Sequence, residues 1–238
     1  LVDYALTFAI GDIHGRIDKL GALLAACQAA VDDRGARFIF IGDYIDRGTH
    51  SREVVEFLMR AKALRANSFI CLRGNHEEML IRVSDKDRSD RDLMTWWGNG
   101  GEQTLESYGV NDPSDLPPEH LDWMRNLPLQ TSDRHRLFVH AGMRPGVALS
   151  DQSEQDLLWI REPFLSSDED YGALVVHGHT PTRSRKPDLR TNRLNIDTGA
   201  CFGGPLTAAA FSDEERAPLF FVEDSGEIIM STRGPKIA

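Results

Sequence analysis

The stretch Gly42-Asp43-Tyr44-Ile45-Asp46-Arg47-Gly48 sets two carboxylates and a guanidinium between two glycines. Glycines let a backbone turn sharply and approach a ligand closely, and acids beside an arginine on such a turn point to metal or oxyanion chemistry. Taken alone, the heptapeptide reads equally well as a surface turn closed by an Asp–Arg pair. Two further clusters change that balance. Gly11-Asp12-Ile13-His14-Gly15 precedes it and Arg73-Gly74-Asn75-His76-Glu77 follows, with 31 residues from Asp12 to Asp43 and 32 from Asp43 to Asn75. Downstream, His140-Ala141-Gly142 and His177-Gly178-His179-Thr180 add imidazoles. Together Asp12, His14, Asp43, Asn75, His140 and His179 form an oxygen and nitrogen donor set without thiolate, suited to Mn, Fe, Zn, Ni or Co. This set exceeds the needs of one tetrahedral site and suffices for two ions if one carboxylate bridges. Two ions roughly 3.5–4 Å apart can clamp the attacking and leaving oxygens of a phosphoryl displacement. Two dications against two ligand carboxylates leave a locally positive pocket, to which Arg47 and Arg73 add. An anionic substrate such as a phosphate is implied.

Each of the first three clusters ends a short apolar run. Thr7-Phe8-Ala9-Ile10, Phe38-Ile39-Phe40-Ile41 and Phe69-Ile70-Cys71-Leu72 have strand length. The segment between the first two carries Ile17, Leu20, Leu24, Cys27 and Val31 on one helical face. Ser51 is placed to cap a second helix bearing Val54, Val55, Leu58 and Met59. Alternating strands and helices predict a largely parallel sheet, and ligands of such sheets bind beyond the carboxyl ends of the strands. All three clusters fall there. The charged run from Ser84 to Asp92 reads as a solvated loop or helix end. Trp96-Trp97-Gly98-Asn99-Gly100-Gly101 leads into a short helix ending near Gly109. Pro117-Pro118 opens another, with Leu121, Trp123, Met124 and Leu127 as its apolar positions. A helical insertion is therefore expected around 84–127. Strands then follow at Leu137-Phe138-Val139, Leu174-Val175-Val176, Asn195 to Gly199, Leu206 to Phe211 and Leu219 to Val222. Short strands in series predict a second, mainly antiparallel sheet. The expectation is an α/β fold of two packed sheets flanked by helices, in a single domain spanning 1–238.

A chain of 238 residues with 41% hydrophobic and 27% charged residues has ordinary globular composition. Its net charge of −10 argues against a general nucleic-acid or membrane-surface binder. Cys27, Cys71 and Cys201 are odd in number and scattered, fitting neither a disulfide framework nor a zinc pattern. A reducing, cytoplasmic setting is expected, with Cys27 and Cys71 as buried apolar residues. No apolar run reaches membrane-spanning length and no signal-peptide pattern opens the chain. The start at Leu1 rather than Met raises the expectation of a removed leader. A monomer meets these expectations.

The five motifs, in this order and spacing, resemble those of the calcineurin-like metallophosphoesterases. Within these the chain resembles the phosphoprotein phosphatase group, above all its short bacterial and phage members. The resemblance runs from Gly11 to Thr180. It implies a four-layer α/β/β/α sandwich with two mixed β-sheets flanked by helices, and two divalent ions, Mn²⁺ first among them. It implies Asp12 and His14 on the first metal, Asp43 bridging both, and Asn75, His140 and His179 on the second. It implies His76 as the general acid, oriented by Asp46. Arg47, Arg73 and Asn75 would bind the phosphate, helped by Arg161 in Trp159-Ile160-Arg161. The implied reaction is hydrolysis of phosphoserine or phosphothreonine in a protein, with phosphotyrosine as an extension. The implied attack is direct, by a metal-bridging hydroxide, without a phosphoenzyme.

Two other functions compete. Symmetrical dinucleoside tetraphosphate hydrolases share the superfamily, but typically have Gln where this chain has His14. A non-catalytic, metal-binding scaffold would have lost ligands or the acid, and here each expected position is filled. His177 competes with His179; Gly178-His179-Thr180 matches the family better, which leaves His177 to packing. Relatives often carry a further histidine two places on, where this chain has Pro181, so the first metal has one fewer protein ligand. His50, His120 and His135 have no motif context and read as surface residues. Trp96 and Trp97 read as core or lid packing. The basic run Arg183, Arg185, Lys186, Arg190 and Arg193 reads as a solvated loop that also steers anions.

Overall fold

Strand β1 (Leu6–Ile10) leads through helix α1 (Ile17–Ala29) to β2 (Ala36–Phe40), then through α2 (Ser51–Leu64) to β3 (Phe69–Cys71). The computed structural model describes residues 4, 6–31 and 35–231; Leu1 and the end of the expected domain at 232–238 lie outside them. The three strands are parallel, with Phe8 level with Phe38 and Phe38 with Phe69. Alternation along them explains the unbroken apolar runs, since both faces are covered. Phe8, Ile10, Phe38, Phe40 and Phe69 point toward Leu20, Leu23, Val54, Val55 and Leu58 of α1 and α2. Ala9, Ile39, Ile41 and Leu72 point the other way, against Phe138, Val176, Leu194 and Ile196. Each fully buried phenylalanine or leucine contributes about 1.5–3 kcal/mol over leaving it exposed. The strand ends are thereby fixed firmly enough to aim the loops that follow them.

The middle of the chain is helical: α3 (Asn75–Ser84), α4 (Asp90–Gly98), α5 (Gly101–Tyr108) and α6 (Pro118–Arg125). These pack on one another and on α2 rather than on the second sheet. The remaining elements are β4 (Gln130–Ser132), β5 (Arg136–Val139), α7 (Glu154–Trp159), β6 (Leu174–His177), β7 (Asp188–Leu189), β8 (Arg193–Asn195), β9 (Thr207–Phe211), β10 (Phe220–Glu223) and β11 (Ile228–Met230). The first sheet runs β11-β10-β9-β1-β2-β3 and the second β4-β5-β6-β8-β7. Outside the second sheet, Leu157, Ile160 and Phe164 cover Leu137, Val139 and Val175. The architecture is the expected one: two mixed sheets, face to face, with helices on both outer faces.

Four expectations are corrected. The second sheet is not mainly antiparallel: β5, β6 and β8 are parallel at its centre, and only β4 and β7 pair antiparallel at its edges. The stretches near 206–211 and 219–222 belong to the first sheet, where β9 joins β1 antiparallel and β10 joins β9. Burial explains this, because Ala208 and Ala210 face the α1 side while Ala209 and Phe211 face the other sheet. A strand buried on both faces fits a sheet interior, and it closes the edge that β1 would otherwise leave open. Ser51 does not cap α2 but is its first residue, with His50 at the cap and no side-chain capping bond. Its hydroxyl instead accepts from the Asp46 backbone N–H (3.1 Å). Among the histidines without motif context, His50 is exposed and His135 half-buried. His120 is buried, within hydrogen-bond distance of the Tyr108 hydroxyl (2.9 Å). It thereby joins α5 to α6.

Candidate active site

The loops leaving β1, β2 and β3 are stitched to one another before any side chain is considered. Ile13 and His14 donate their backbone N–H groups to the Asp43 carbonyl (3.0 and 2.8 Å), and Gly15 donates to that of Tyr44 (2.8 Å). Glu77, fully buried, accepts from the backbone N–H of Asp43 (2.9 Å), Tyr44 (2.8 Å) and Gly74 (2.9 Å). One carboxylate thus clamps the second loop onto the third. The approach is so close that a Cβ on Gly74 would lie 2.2 Å from Asp43 Oδ1. Left-handed backbone is costly for residues other than glycine. Among the described residues six adopt it, and His14, Asp43, Asp46, Arg47 and His179 are five of them. Strain is concentrated where the candidate chemistry lies.

Asp43 stands at the centre and presents its two oxygens to different partners. Oδ2 lies 3.4 Å from His14 Nε2, and Oδ1 lies 3.4 Å from His140 Nε2. Two groups of potential ligand atoms result, His14, Asp43 and His76 on one side and Asp43, His140 and His179 on the other, each within 4.8 Å. Asn75 belongs to the second side, where its Oδ1 lies 2.8 Å from both His140 Nε2 and His179 Nδ1. Asp12 accepts the His179 backbone N–H (3.1 Å) and faces the carboxylate of Asp197. The orientation of the imidazoles is set from behind, by Nδ1–H donation from His14 to the Ile45 carbonyl (2.7 Å) and from His140 to that of Ile41 (2.9 Å). Such support leaves the other ring nitrogen free to bind a metal.

Burial keeps the candidate ligand imidazoles neutral, the state a metal requires. It lowers His14 well below its ordinary range, lowers His140, and brings His179 down to about 3. Burial also works against the Asp43 carboxylate, but the surrounding His140, His76, His14 and His179 outweigh it and hold it low. Burial, then Asp197 and Asp43, push Asp12 well above the carboxylate range, and burial brings Asp197 up to about 7. The donor set fits two divalent ions: a two-sided carboxylate between histidines, and buried acids in contact that want a cation. One cation is already drawn to it, since Arg47 Nη1 donates to His14 Nε2 at 2.7 Å.

His76 differs from the other histidines. Its Nδ1–H donates to Asp46 Oδ2 (2.7 Å), while Nε2 turns toward Asp43 Oδ2 (3.8 Å). Burial works to lower its pKa, but Asp43 and Asp46 outweigh this and hold it above the ordinary imidazole range. Asp46 is itself held from the helical insertion. Its Oδ1 accepts from Thr104 Oγ1 (2.6 Å), and Trp96 Nε1–H is shared between Oδ1 (3.2 Å) and Oδ2 (3.0 Å). Trp96 is therefore core packing with a polar purpose, whereas Trp97 is 44% exposed. Gly100 accepts the Arg47 backbone N–H (3.1 Å) and packs so tightly that a Cβ there would meet Arg47 N at 2.7 Å.

The arginines are placed unequally. Arg47 lies over the exposed ring of Phe202, 5.2 Å from its centroid. Arg73 spans Glu78 (3.3 Å) and Glu154 (2.5 Å). Arg161 is exposed and close enough to His179 to act on it electrostatically. His177 packs against Phe164 (5.0 Å between centroids), away from the ligand cluster. The sequence alone assigns no site role to Glu77, Thr104 and Asp197, and only packing to Trp96. Glu77 stood inside the third motif, and Asp197 ends a strand as the other site residues do.

Comparison with known proteins places this arrangement. A family model described as calcineurin-like phosphoesterase matches residues 7–208. Serine/threonine-protein phosphatase 1 of Salmonella typhimurium is 32% identical over 216 residues, covering 85% of this chain and 90% of that protein. The asymmetrical bis(5'-nucleosyl)-tetraphosphatase PrpE of Anoxybacillus flavithermus is 27% identical over 231 residues, covering 87% and 90%. In fold, the chain is similar to a cold-active protein tyrosine phosphatase, with a TM-score of 0.66 at 16% identity over 95% of this chain and 78% of that one.

Proposed function

The chain belongs to the calcineurin-like phosphoesterase family, and we propose that within it the protein is a two-metal phosphomonoesterase acting on phosphoserine and phosphothreonine in proteins. The observation that carries the reading is the divided Asp43 carboxylate, with histidines facing each of its oxygens. Asp12, His14 and Asp43 would hold one divalent ion, and Asp43, Asn75, His140 and His179 the other, with Mn²⁺ as the expected metal. When bound, the ions supply Lewis acidity and an activated water.

The chain's own residues supply the rest. His76 holds a proton on Nε2, and Asp46 keeps the ring oriented through Nδ1. A serine or threonine alkoxide is a poor leaving group, so delivery of that proton matters for such substrates. Arg47, Arg73, Asn75 and Arg161 bind and orient the phosphoryl group. Glu154 is half exposed, so its pair with Arg73 is worth only about 0–1 kcal/mol and yields readily, while the less exposed Glu78 keeps the guanidinium in place. A cavity of about 240 Å³ lined by Glu78, Arg82, Asp92, Thr95 and Trp159 adjoins Arg73 and His179. It offers room for residues flanking a phosphorylated side chain. The protein phosphatase of Salmonella supports the same substrate class.

A second reading, hydrolysis of dinucleoside tetraphosphates, is favoured by one observation. Phe202 is 54% exposed beside Arg47, an aromatic face on which a base could stack. A panel of phosphoserine, phosphothreonine and phosphotyrosine peptides, diadenosine tetraphosphate and a phosphodiester separates the two. The expected result is kcat/KM at least about tenfold higher on a phosphoserine or phosphothreonine peptide than on the others. The opposite order for the dinucleotide would overturn the protein phosphatase reading.

A further inference from the structure

We propose that Phe202 is a positioning residue for Arg47, bracing its guanidinium for phosphate through a cation–π contact. The inference rests on the reading of Arg47 as a phosphate ligand above. The backbone of Arg47 is already fixed: its φ is +68° and its N–H donates to the Gly100 carbonyl (3.1 Å). A long, flexible side chain still has to be held beyond that point. Its guanidinium rests on His14 Nε2 at 2.7 Å and over the ring of Phe202, 5.2 Å from the centroid. The first of these contacts uses a nitrogen that a metal ion would take. The second makes no claim on a metal donor. A guanidinium within about 6 Å of an aromatic centroid is attracted by the ring's negative face.

The turn that presents the ring is held on every side. Phe202 ends a single 3₁₀ turn, Ala200–Phe202, between β8 and β9. Left-handed Gly199 (φ 76°) and Gly203 (φ 80°) flank it. The N–H groups of Phe202 and Gly204 both donate to the Gly199 carbonyl (2.9 Å each). A Cβ on Gly204 would lie 2.0 Å from the Thr198 carbonyl oxygen, so the turn closes only around glycine. Arg185 donates to the carbonyls of Phe202 (3.2 Å) and Gly203 (3.3 Å). Arg16 donates to that of Ala200 (3.2 Å), tying the turn to the loop that carries His14. All these bonds hold backbone. The ring itself stands outside the hydrophobic clusters and is 54% exposed. A mount this rigid fixes the ring without burying it, which is what bracing a neighbouring cation requires.

The test is calorimetric titration of inorganic phosphate into Mn²⁺-loaded protein, comparing wild type with Phe202→Leu, Phe202→Tyr, Arg47→Met and the Phe202→Leu/Arg47→Met double variant. Phe202→Leu keeps an apolar side chain and removes the ring; Phe202→Met serves the same comparison if the leucine variant does not fold. The expected result is phosphate binding weakened roughly 2–30-fold by Phe202→Leu, the range a cation–π contact supplies. Phe202→Tyr should restore it, and Mn²⁺ content should not change. In the Arg47→Met background Phe202→Leu should add nothing, because the ring acts through that guanidinium. Wild-type phosphate affinity in Phe202→Leu, with Arg47→Met weakened, would overturn the proposal and leave Arg47 as a phosphate ligand. A Phe202→Leu loss that persists in full without Arg47, or that accompanies loss of Mn²⁺, would overturn it as well. So would a loss seen only on diadenosine tetraphosphate, which would assign the ring to base stacking. Wild-type affinity in Arg47→Met would overturn the phosphate role of Arg47 and the proposal together.

Discussion

Asp46→Asn is expected to move the alkaline limb of the pH–rate profile to lower pH by about 1–2 units. His76 donates Nδ1–H to Asp46 at 2.7 Å with both side chains buried. A hydrogen bond to a charged group contributes about 1.5–3 kcal/mol, and one pKa unit corresponds to about 1.4 kcal/mol. Their ratio is the shift. The direction follows from the opposing influences on His76, where burial lowers the pKa and Asp43 and Asp46 raise it. With residue 46 neutral, burial gains and the pKa falls. An asparagine that keeps its oxygen on Thr104 and Trp96 turns its NH₂ toward His76 Nδ1, which only a neutral imidazole accepts. A general acid works in its protonated form, so its contribution is present below its pKa and lost as pH rises through it. The variant should lose that contribution at lower pH. The assay is kcat across roughly pH 5–9 on a phosphoserine peptide and on p-nitrophenyl phosphate. Near pH 8 the peptide rate should fall roughly 10–100-fold, following the same 1–2 units. The nitrophenyl rate should fall less, because nitrophenolate departs with little proton assistance. An unmoved alkaline limb would refute the acid role of His76. Equal losses on both substrates with loss of metal would assign the pair to the metal site instead.

Chelation should abolish phosphoesterase activity, and Mn²⁺ should restore it best; elemental analysis alongside the assay checks both. Asp43→Asn should cost the second ion and nearly all turnover with the fold retained, read by metal content, kcat and circular dichroism. Glu77→Gln replaces a carboxylate that accepts three backbone N–H groups with an amide that has one accepting oxygen. Urea unfolding should show a loss of about 2–4 kcal/mol, since hydrogen bonds to charged groups contribute about 1.5–3 kcal/mol each.

The parallel half of the fold was legible because strand, helix and cluster recur with nearly constant spacing, and each polar cluster follows an apolar run. Asp12, His14, Asp43, Asn75, His140 and His179 come together in the folded chain from positions far apart in it. What stayed hidden depends on pairings that local pattern does not encode. Thr207 to Phe211 reads as an apolar run wherever it goes, and only its two-sided burial assigns it beside β1. The same holds for Ser51 and His120, whose partners Asp46 and Tyr108 are fixed by tertiary contact. Glu77 was visible but mute, since a carboxylate one residue beyond His76 gives no sign that it binds backbone rather than metal. Asp197 carried the faintest signal, an acid at a strand end.

The grip of Trp96 and Thr104 on Asp46 limits how far this domain can be treated as modular. Helices α4 and α5 add nothing to either sheet, so they look like parts to be exchanged when substrate preference is re-engineered. They nevertheless hold a carboxylate that, after Asp43, raises the proton affinity of His76, and Gly100 between them positions the backbone of Arg47. A chimera with a foreign segment here would keep every candidate metal ligand and still have a mistuned His76. Grafting should therefore carry Trp96, Gly100 and Thr104 along as fixed points. The exposed Met94 and Trp97, which touch neither group, are the positions to vary first.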